Sequence, residues 1–366
     1  MARPTDPTAG PLVSADATPA DDLARRKDEH LDVVLAGKVN AETSTAGFEA
    51  IRFAHVALPE LDLREIELST TFLGRPIAAP LLVSSMTGGP ARAADINRAI
   101  AIAAEELQIP FAVGSQRVAL TDTASGGLGR TLRALAPSVP ILANFGAAQL
   151  KTWDGPAMAC RAVEMIEADA LIIHLNPLQE AVQHGGDTGW AGLLRAIETV
   201  ARAVAFPIVV KEVGAGISGV MARRLVDAGV AVIDVAGLGG TSWAQVEAER
   251  ATDPSQRAVA TCFRDWGIPT ARCIVDVRAA CPDICVIGSG GIRDGLDGAK
   301  ALRLGADLFA QAAGVLPAAL AGPEALVRHL RVVMDQLRIA CFCTGSRDVA
   351  ALRRASLVDP PSYLVR

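Results

Sequence analysis

Val286-Ile287-Gly288-Ser289-Gly290-Gly291-Ile292-Arg293-Asp294-Gly295 opens a stretch that continues, through a helical pattern, to Leu304-Gly305-Ala306-Asp307-Leu308-Phe309-Ala310. An apolar run from Cys285 to Ile287 enters a glycine turn. An amphipathic segment over Asp294–Leu304 follows, and Gly305 opens a second apolar run. This is one βα unit of a parallel sheet and the start of the next. In a parallel α/β barrel the last two units hold a phosphate: glycines let backbone N–H groups approach its oxygens, and a helix N-terminus adds favourable partial charge. Gly290 and Gly291 are therefore read as a phosphate cradle, with a tight turn that holds no ligand as the alternative.

The same alternation extends back along the chain. Short apolar runs predict strands at Pro80–Ser84, Pro110–Val113, Pro140–Ala143, Ala170–His174, Pro207–Lys211, Ala231–Val235, Ile284–Gly288 and Asp307–Ala310. Helical patterns fall between them at Ala91–Leu107, Gly129–Ala136, Pro156–Glu167, Gly192–Ala205, Ser218–Ala228, Thr270–Ala280 and Gly295–Leu304, with a last helix from Pro323 to Arg338. The strands are continuously apolar, as expected where helices cover one face and packed layers fill the other. Eight such units predict an α/β fold, a (β/α)8 barrel. Two segments exceed a minimal barrel. Asp28–Arg75 precedes the first strand and must cap or flank it. Val235–Ile284, after the sixth strand, is long enough to be an insertion that shapes a site. Residues 1–22 read as a disordered leader and 23–366 as a single domain.

Composition limits the partners. The chain has 366 residues, is 51% apolar and carries a net charge of −5, with its Lys and Arg dispersed. Nucleic acid, which calls for a basic face, is not expected. Nor is a membrane, because no apolar run approaches the ~20 residues a span needs. The N-terminus lacks an apolar signal core, and seven cysteines without a paired CxxC spacing suit a reducing cytoplasm.

Polar residues gather just after the strands. They include Ser84-Ser85-Met86-Thr87-Gly88-Gly89, Gly114-Ser115-Gln116-Arg117, Asn144-Phe145-Gly146, His174-Leu175-Asn176-Pro177-Leu178-Gln179-Glu180, Lys211-Glu212-Val213-Gly214 and Gly239-Gly240-Thr241-Ser242. In a barrel these loops converge on the C-terminal mouth, where barrel enzymes keep their sites. Lys211 closes the buried run Ile208-Val209-Val210. An ammonium there needs an anionic partner, either Glu212 or the electron-rich edge of a ligand such as a reduced flavin. Asn144 and Thr87 would add hydrogen bonds to a flavin lying across the mouth. Arg26, Lys27, Arg117 and His174 together suit a diphosphate, although Arg26-Lys27 also reads as a solvated helix start. Glu180 is a candidate Mg2+ ligand or a surface carboxylate.

These blocks, with Arg26-Lys27-Asp28-Glu29-His30 and Gly288-Ser289-Gly290-Gly291-Ile292-Arg293, resemble the type II isopentenyl-diphosphate isomerases, which are FMN-dependent. The likeness runs in family order from about residue 25 to about residue 355. The resemblance implies that Arg26, Lys27, Gln116, Arg117, His174 and Asn176 bind the substrate, a small-molecule diphosphate. It places Gln179 beside the reacting carbons as the catalytic side chain and Glu180 on Mg2+. Met86, Thr87, Gly88, Ser115, Asn144 and Lys211 would bind FMN, joined by Ser218 or Thr241, with Gly290, Gly291, Ala310 and Gln311 around its phosphate. It also implies NADPH as the reductant of the flavin and a homo-oligomer, tetramer or octamer. Ala310-Gln311-Ala312 stands where the family usually has Gly-Met-Ala, and His184-Gly185-Gly186 replaces a more acidic stretch.

Two other readings compete. An FMN-dependent 2-hydroxy-acid oxidase or dehydrogenase would need a base such as His after a late strand. The histidines are instead at 30, 55, 174, 184 and 329. A non-catalytic flavin- or phosphate-binding barrel would keep the glycine cradle but would have no use for Arg26, Lys27, Arg117, Gln179 and Glu180 together.

Overall fold

The computed structural model describes residues 29–37, 39–85, 91–121, 127–360 and 362. The predicted leader, Arg26, Lys27, Met86, Thr87 and Gly88 lie outside the described residues. The barrel strands are β1 (Leu81–Val83), β2 (Phe111–Ala112), β3 (Ile141–Gly146), β4 (Ala170–Leu175), β5 (Ile208–Glu212), β6 (Val232–Asp234), β7 (Cys285–Gly288) and β8 (Leu308–Gln311). All eight pair in parallel, and β8 returns to pair with β1, closing the barrel. Every strand expected from the sequence is present.

Side-chain direction follows the two-residue period of the strands. Leu82, Ala112, Leu142, Ile172, Val209, Val232, Ile287 and Leu308 point inward and form one apolar cluster. Their neighbours Leu81, Phe111, Ala143, Ile173, Val210, Ile233, Val286 and Phe309 point outward to the helices and belong to a second cluster. The segment before β1 closes the bottom of the barrel. It forms an antiparallel hairpin, Thr70–Phe72 with Arg75–Ile77, whose Phe72 and Ile77 enter the inward cluster. The hairpin runs past the expected end of the flanking segment at Arg75, and its three-residue strands are too short to stand out in the apolar pattern.

Helices that bear on the site are α1 (Pro177–Val182), α2 (Gly219–Asp227), α3 (Trp243–Arg250), α4 (Pro254–Cys262), α5 (Thr270–Ala280), α6 (Gly295–Leu304) and α7 (Pro323–Cys343). For α6 the local chemistry is plain. The Asp294 side chain accepts from the Asp297 N–H at its start, and Gly305 at φ +118° ends it in the left-handed region. The helix α7 continues past the expected Arg338 because Leu337, Ala340 and Cys341 keep its inner face apolar. The insertion after β6 consists of α3 and α4. Residues 29–35 form a further helix, which lies over the mouth. Among the described residues no helix is long and apolar enough to cross a membrane.

Candidate active site

Two residues beyond six of the eight inward apolar residues, the strands bring up inward polar side chains. These are Ser84 above Leu82, Asn144 above Leu142, His174 above Ile172, Lys211 above Val209, Asp234 above Val232 and Ser289 above Ile287. A dry apolar floor is thus capped at one level by a polar ring. Above it lies a cavity of about 600 Å³ lined by Ser84, Asn144, His174, Lys211 and Ser289 of that ring. Ser115, Arg117, Asn176, Gln179, Glu180, Thr241, Gly290, Gly291, Ala310 and Gln311 also line it. One fold level therefore gathers most of the residues read from the sequence.

Two of them do not reach the cavity. Gln116 is fully buried: its Oε1 accepts from the Asn144 N–H at 2.9 Å and its Nε2 donates to the Ala162 carbonyl at 2.9 Å. Since β2 is only two residues long, this side chain continues its pairing with β3 instead of facing a substrate. Ser218 is committed to capping α2, with its Oγ accepting from the Met221 N–H at 3.3 Å. Of the two alternatives for the hydroxyl, Thr241 is the one on the cavity wall.

The loops after β6 and β7 form the cradle by direct backbone contact. A Cβ on Gly291 would lie 2.5 Å from the Gly239 carbonyl, and one on Gly240 would lie 2.8 Å from the Gly291 nitrogen. The Gly237 N–H donates to the Ser289 carbonyl at 2.9 Å and ties the two loops together. Among the described residues the Gly290 and Gly291 N–H groups find no acceptor. Free amides on a surface that only glycines can form are what a phosphate monoester requires. In the ring, the Ser84 Oγ and Asp234 Oδ2 are buried with no hydrogen-bond partner. Cradle and ring together fit a flavin mononucleotide.

On the opposite wall, α1 presents amides and a carboxylate. The Asn176 Nδ2 donates to Glu180 Oε1 at 2.9 Å and to Gln179 Oε1 at 3.2 Å. Glu180 Oε2 accepts from Gln183 Nε2 and from the Asp187 N–H. The Asn176 Oδ1 is buried and unpartnered beside this carboxylate. Carboxylate and amide oxygens suit Mg2+, yet among the described residues no three His, Cys, Asp or Glu side chains cluster around a metal position. A cation here would need oxygens from a ligand, as Mg2+ bound through phosphates does.

The arrangement also contains a residue the sequence reading missed. Glu247, buried on α3, accepts from Gln179 Nε2 at 3.0 Å, from His30 Nε2 at 2.9 Å and from Arg250 Nη1 at 2.7 Å. Burial pushes its carboxyl up, but the His30, Gln179 and Arg250 contacts outweigh burial, and its pKa lies below the ordinary value. It stays an anion that orients the Gln179 amide. In sequence, Glu247 and Arg250 look like a surface i,i+3 pair, and nothing local links them to Gln179. His30 packs edge-on against Trp243 with ring centroids 5.2 Å apart. Ala41 N–H to Gly240 O and Ser242 N–H to Val39 O then pin the N-terminal segment over the mouth.

The strand end at β5 depends on one carboxylate. Glu212 Oε2 accepts from the N–H groups of Val213, Gly214, Ala215 and Gly216 at 2.6, 2.7, 2.5 and 3.2 Å. Glu212 therefore fixes the loop that carries Gly214 on the cavity wall, and it acts on Lys211 by charge but not through a hydrogen bond from the ammonium to its carboxylate. We expect Glu212→Gln to lower stability by about 1–3 kcal/mol, since buried amides would face a weaker acceptor. Urea unfolding measures this, and an unchanged midpoint would refute it.

The chain matches the FMN-dependent dehydrogenase family over residues 21–131 and 175–359. It is 60% identical over 337 residues to the isopentenyl-diphosphate delta-isomerase of Stutzerimonas stutzeri, covering 92% of this chain and 97% of that one. It is 59% identical over 333 residues to the enzyme of that name from Xanthobacter autotrophicus, covering 91% and 97%. Among solved structures, a lactate oxidase of Pediococcus acidilactici superposes with a TM-score of 0.64 at 18% identity over 94% of this chain and 95% of that one. A mandelate oxidase variant carrying an FMN adduct superposes at 0.62 and 19% identity, covering 92% and 98%. At that identity the oxidases share the fold alone.

Proposed function

The chain belongs to the isopentenyl-diphosphate delta-isomerases of the FMN-dependent dehydrogenase family, and from that premise we propose that it interconverts isopentenyl and dimethylallyl diphosphate in isoprenoid biosynthesis. The reading is carried by one observation: Gln179, held by buried Glu247, opens into the same cavity as the Gly290–Gly291 cradle.

The reaction moves a proton across an unactivated alkene, for which ordinary side chains are poor acids. When bound and reduced at the expense of NADPH, FMN supplies that acid–base function with no net redox change. The protein's residues bind and orient. The Gly290 and Gly291 amides would hold the flavin phosphate, with Ala310 and Gln311 beside them. Lys211, Asn144, Ser115 and Thr241 would hydrogen-bond the ring, and Met86, Thr87 and Gly88, outside the described residues, are the further candidates to hold it. The His174 Nδ1 donates to Asn144 Oδ1 at 2.8 Å, linking the ring contact to the diphosphate side of the site. Arg117, His174 and Asn176, with Arg26 and Lys27, would bind the diphosphate, and Glu180 would hold Mg2+ there. Gln179 positions or relays the proton at the reacting carbons. The enzyme works as a homo-oligomer, tetramer or octamer, in the cytoplasm.

The oxidase reading has less support. After β6 the chain offers Gly237-Leu238-Gly239-Gly240-Thr241-Ser242, with no histidine to take a hydroxyl proton. An anaerobic assay with isopentenyl diphosphate, Mg2+ and NADPH, with and without FMN, tests the proposal. Conversion that depends on FMN is expected. Protein that stays colourless at any FMN concentration, or that binds FMN but leaves the alkene unchanged, would overturn it.

A further inference from the structure

Among the described residues Lys211 makes no close ion pair, although it feels the charge of Glu212 next to it. Only 7% exposed, it donates from Nζ to the Glu212 carbonyl at 2.6 Å, and the Glu212 carboxylate is occupied by four backbone amides on the outward face. A buried ammonium without a counter-charge is costly. The β5–β6 register supplies one, because Lys211 and Asp234 are direct neighbours on parallel strands and both point into the barrel. On the other flank Lys211 neighbours His174. Asp234 is 1% exposed; its Oδ1 accepts from Ser289 Oγ at 2.5 Å, and its Oδ2 has no hydrogen-bond partner. Asp234 does not line the cavity, whereas Lys211 and Ser289, on either side of it, do. Burial raises its pKa, and Lys211 is the strongest influence the other way.

We propose that Asp234 acts on the site through Lys211 and through space: its buried carboxylate, facing Lys211 across the β5–β6 register without a direct ion pair, offsets part of the ammonium's charge, and so sets how strongly the site favours reduced over oxidised FMN. This rests on the reading that FMN lies against Lys211. Reduction makes the flavin more electron-rich, so a fixed negative charge behind the lysine disfavours the reduced form, and removing that charge favours it. The physical basis is Coulombic, between side chains that are both buried.

The test is Asp234→Asn, which keeps an oxygen for Ser289 and removes the charge. The reduced-to-oxidised affinity ratio for FMN should rise about tenfold, equivalent to about 30 mV in the two-electron midpoint potential. Asp234→Ser serves if the amide variant does not fold. Thermal melting without FMN is recorded alongside, because a purely structural role would lower the melting temperature without moving the ratio. A ratio that is unchanged or lower while the wild type binds FMN overturns this proposal alone. A wild type that takes up no FMN overturns both this proposal and the functional reading.

Discussion

Gln179→Ala should lower kcat by about 10²–10⁴-fold, the range for losing a positioned proton-transfer group, while the protein still binds FMN. Gln179 is fixed at both ends of its amide: Oε1 accepts from Asn176 Nδ2 and Nε2 donates to Glu247 Oε1. That grip determines which face of the amide meets the substrate, and the anionic Glu247 at the far end polarises it. Neither contact reaches the Gly290–Gly291 cradle, so FMN absorbance per protein should be unchanged. If chemistry alone is lost, KM moves little and single-turnover conversion slows as much as steady-state turnover. Glu247→Gln should give a smaller fall in the same direction, because it keeps a hydrogen-bond acceptor and removes only the charge. A Gln179→Ala rate close to wild type would remove Gln179 from the mechanism.

Gly290→Ala should abolish FMN retention, and Gly314→Ala should not. Gly290 sits at φ +98°, where an L side chain costs roughly 1–2 kcal/mol before any clash. Its Cβ would also run into the Gly237 carbonyl and lie 2.5 Å from the Gly237 nitrogen and 2.8 Å from Thr270 Oγ1. Backbone cannot yield as a flexible side chain can, so the β6 and β7 loops must part and the amide surface is lost. Gly314 lines the same cavity, but a Cβ there meets nothing within 4 Å. Fluorescence titration with FMN reads both variants. We expect an affinity loss of at least about a hundredfold for Gly290→Ala, or about 2.8 kcal/mol, and near-native binding for Gly314→Ala. Retained binding in Gly290→Ala would show that the phosphate is held elsewhere.

Much of this site could be read in the chain because the barrel converts sequence position into spatial position. A residue just after an apolar strand lies at the mouth whatever the loop does next. That is why Ser115, Asn144, His174, Lys211 and Thr241, each just after or at the end of a strand, line the cavity. The failures share a cause. Gln116 and Ser218 stand in the right loops but point away, because a two-residue strand needed one to complete its pairing and a helix start needed the other as a cap. The direction of a side chain within a loop is decided by local hydrogen-bond demand, which the strand period does not encode.

The sequence by itself determined the eight strands, their closure and the glycine cradle. Apolar runs, glycine turns and helix caps act over a few residues, and their physics is local. The tertiary structure alone decided the grip of Glu247 on Gln179 and the seating of Asp234 beside Lys211. The first joins residues 68 positions apart through an insertion, and the second depends on the register of two neighbouring strands. Burial and charge act through space, so a carboxylate that reads as an ordinary surface or strand residue becomes, once enclosed, the group that grips an amide, as Glu247 does, or the charge that neighbours an ammonium, as Asp234 does.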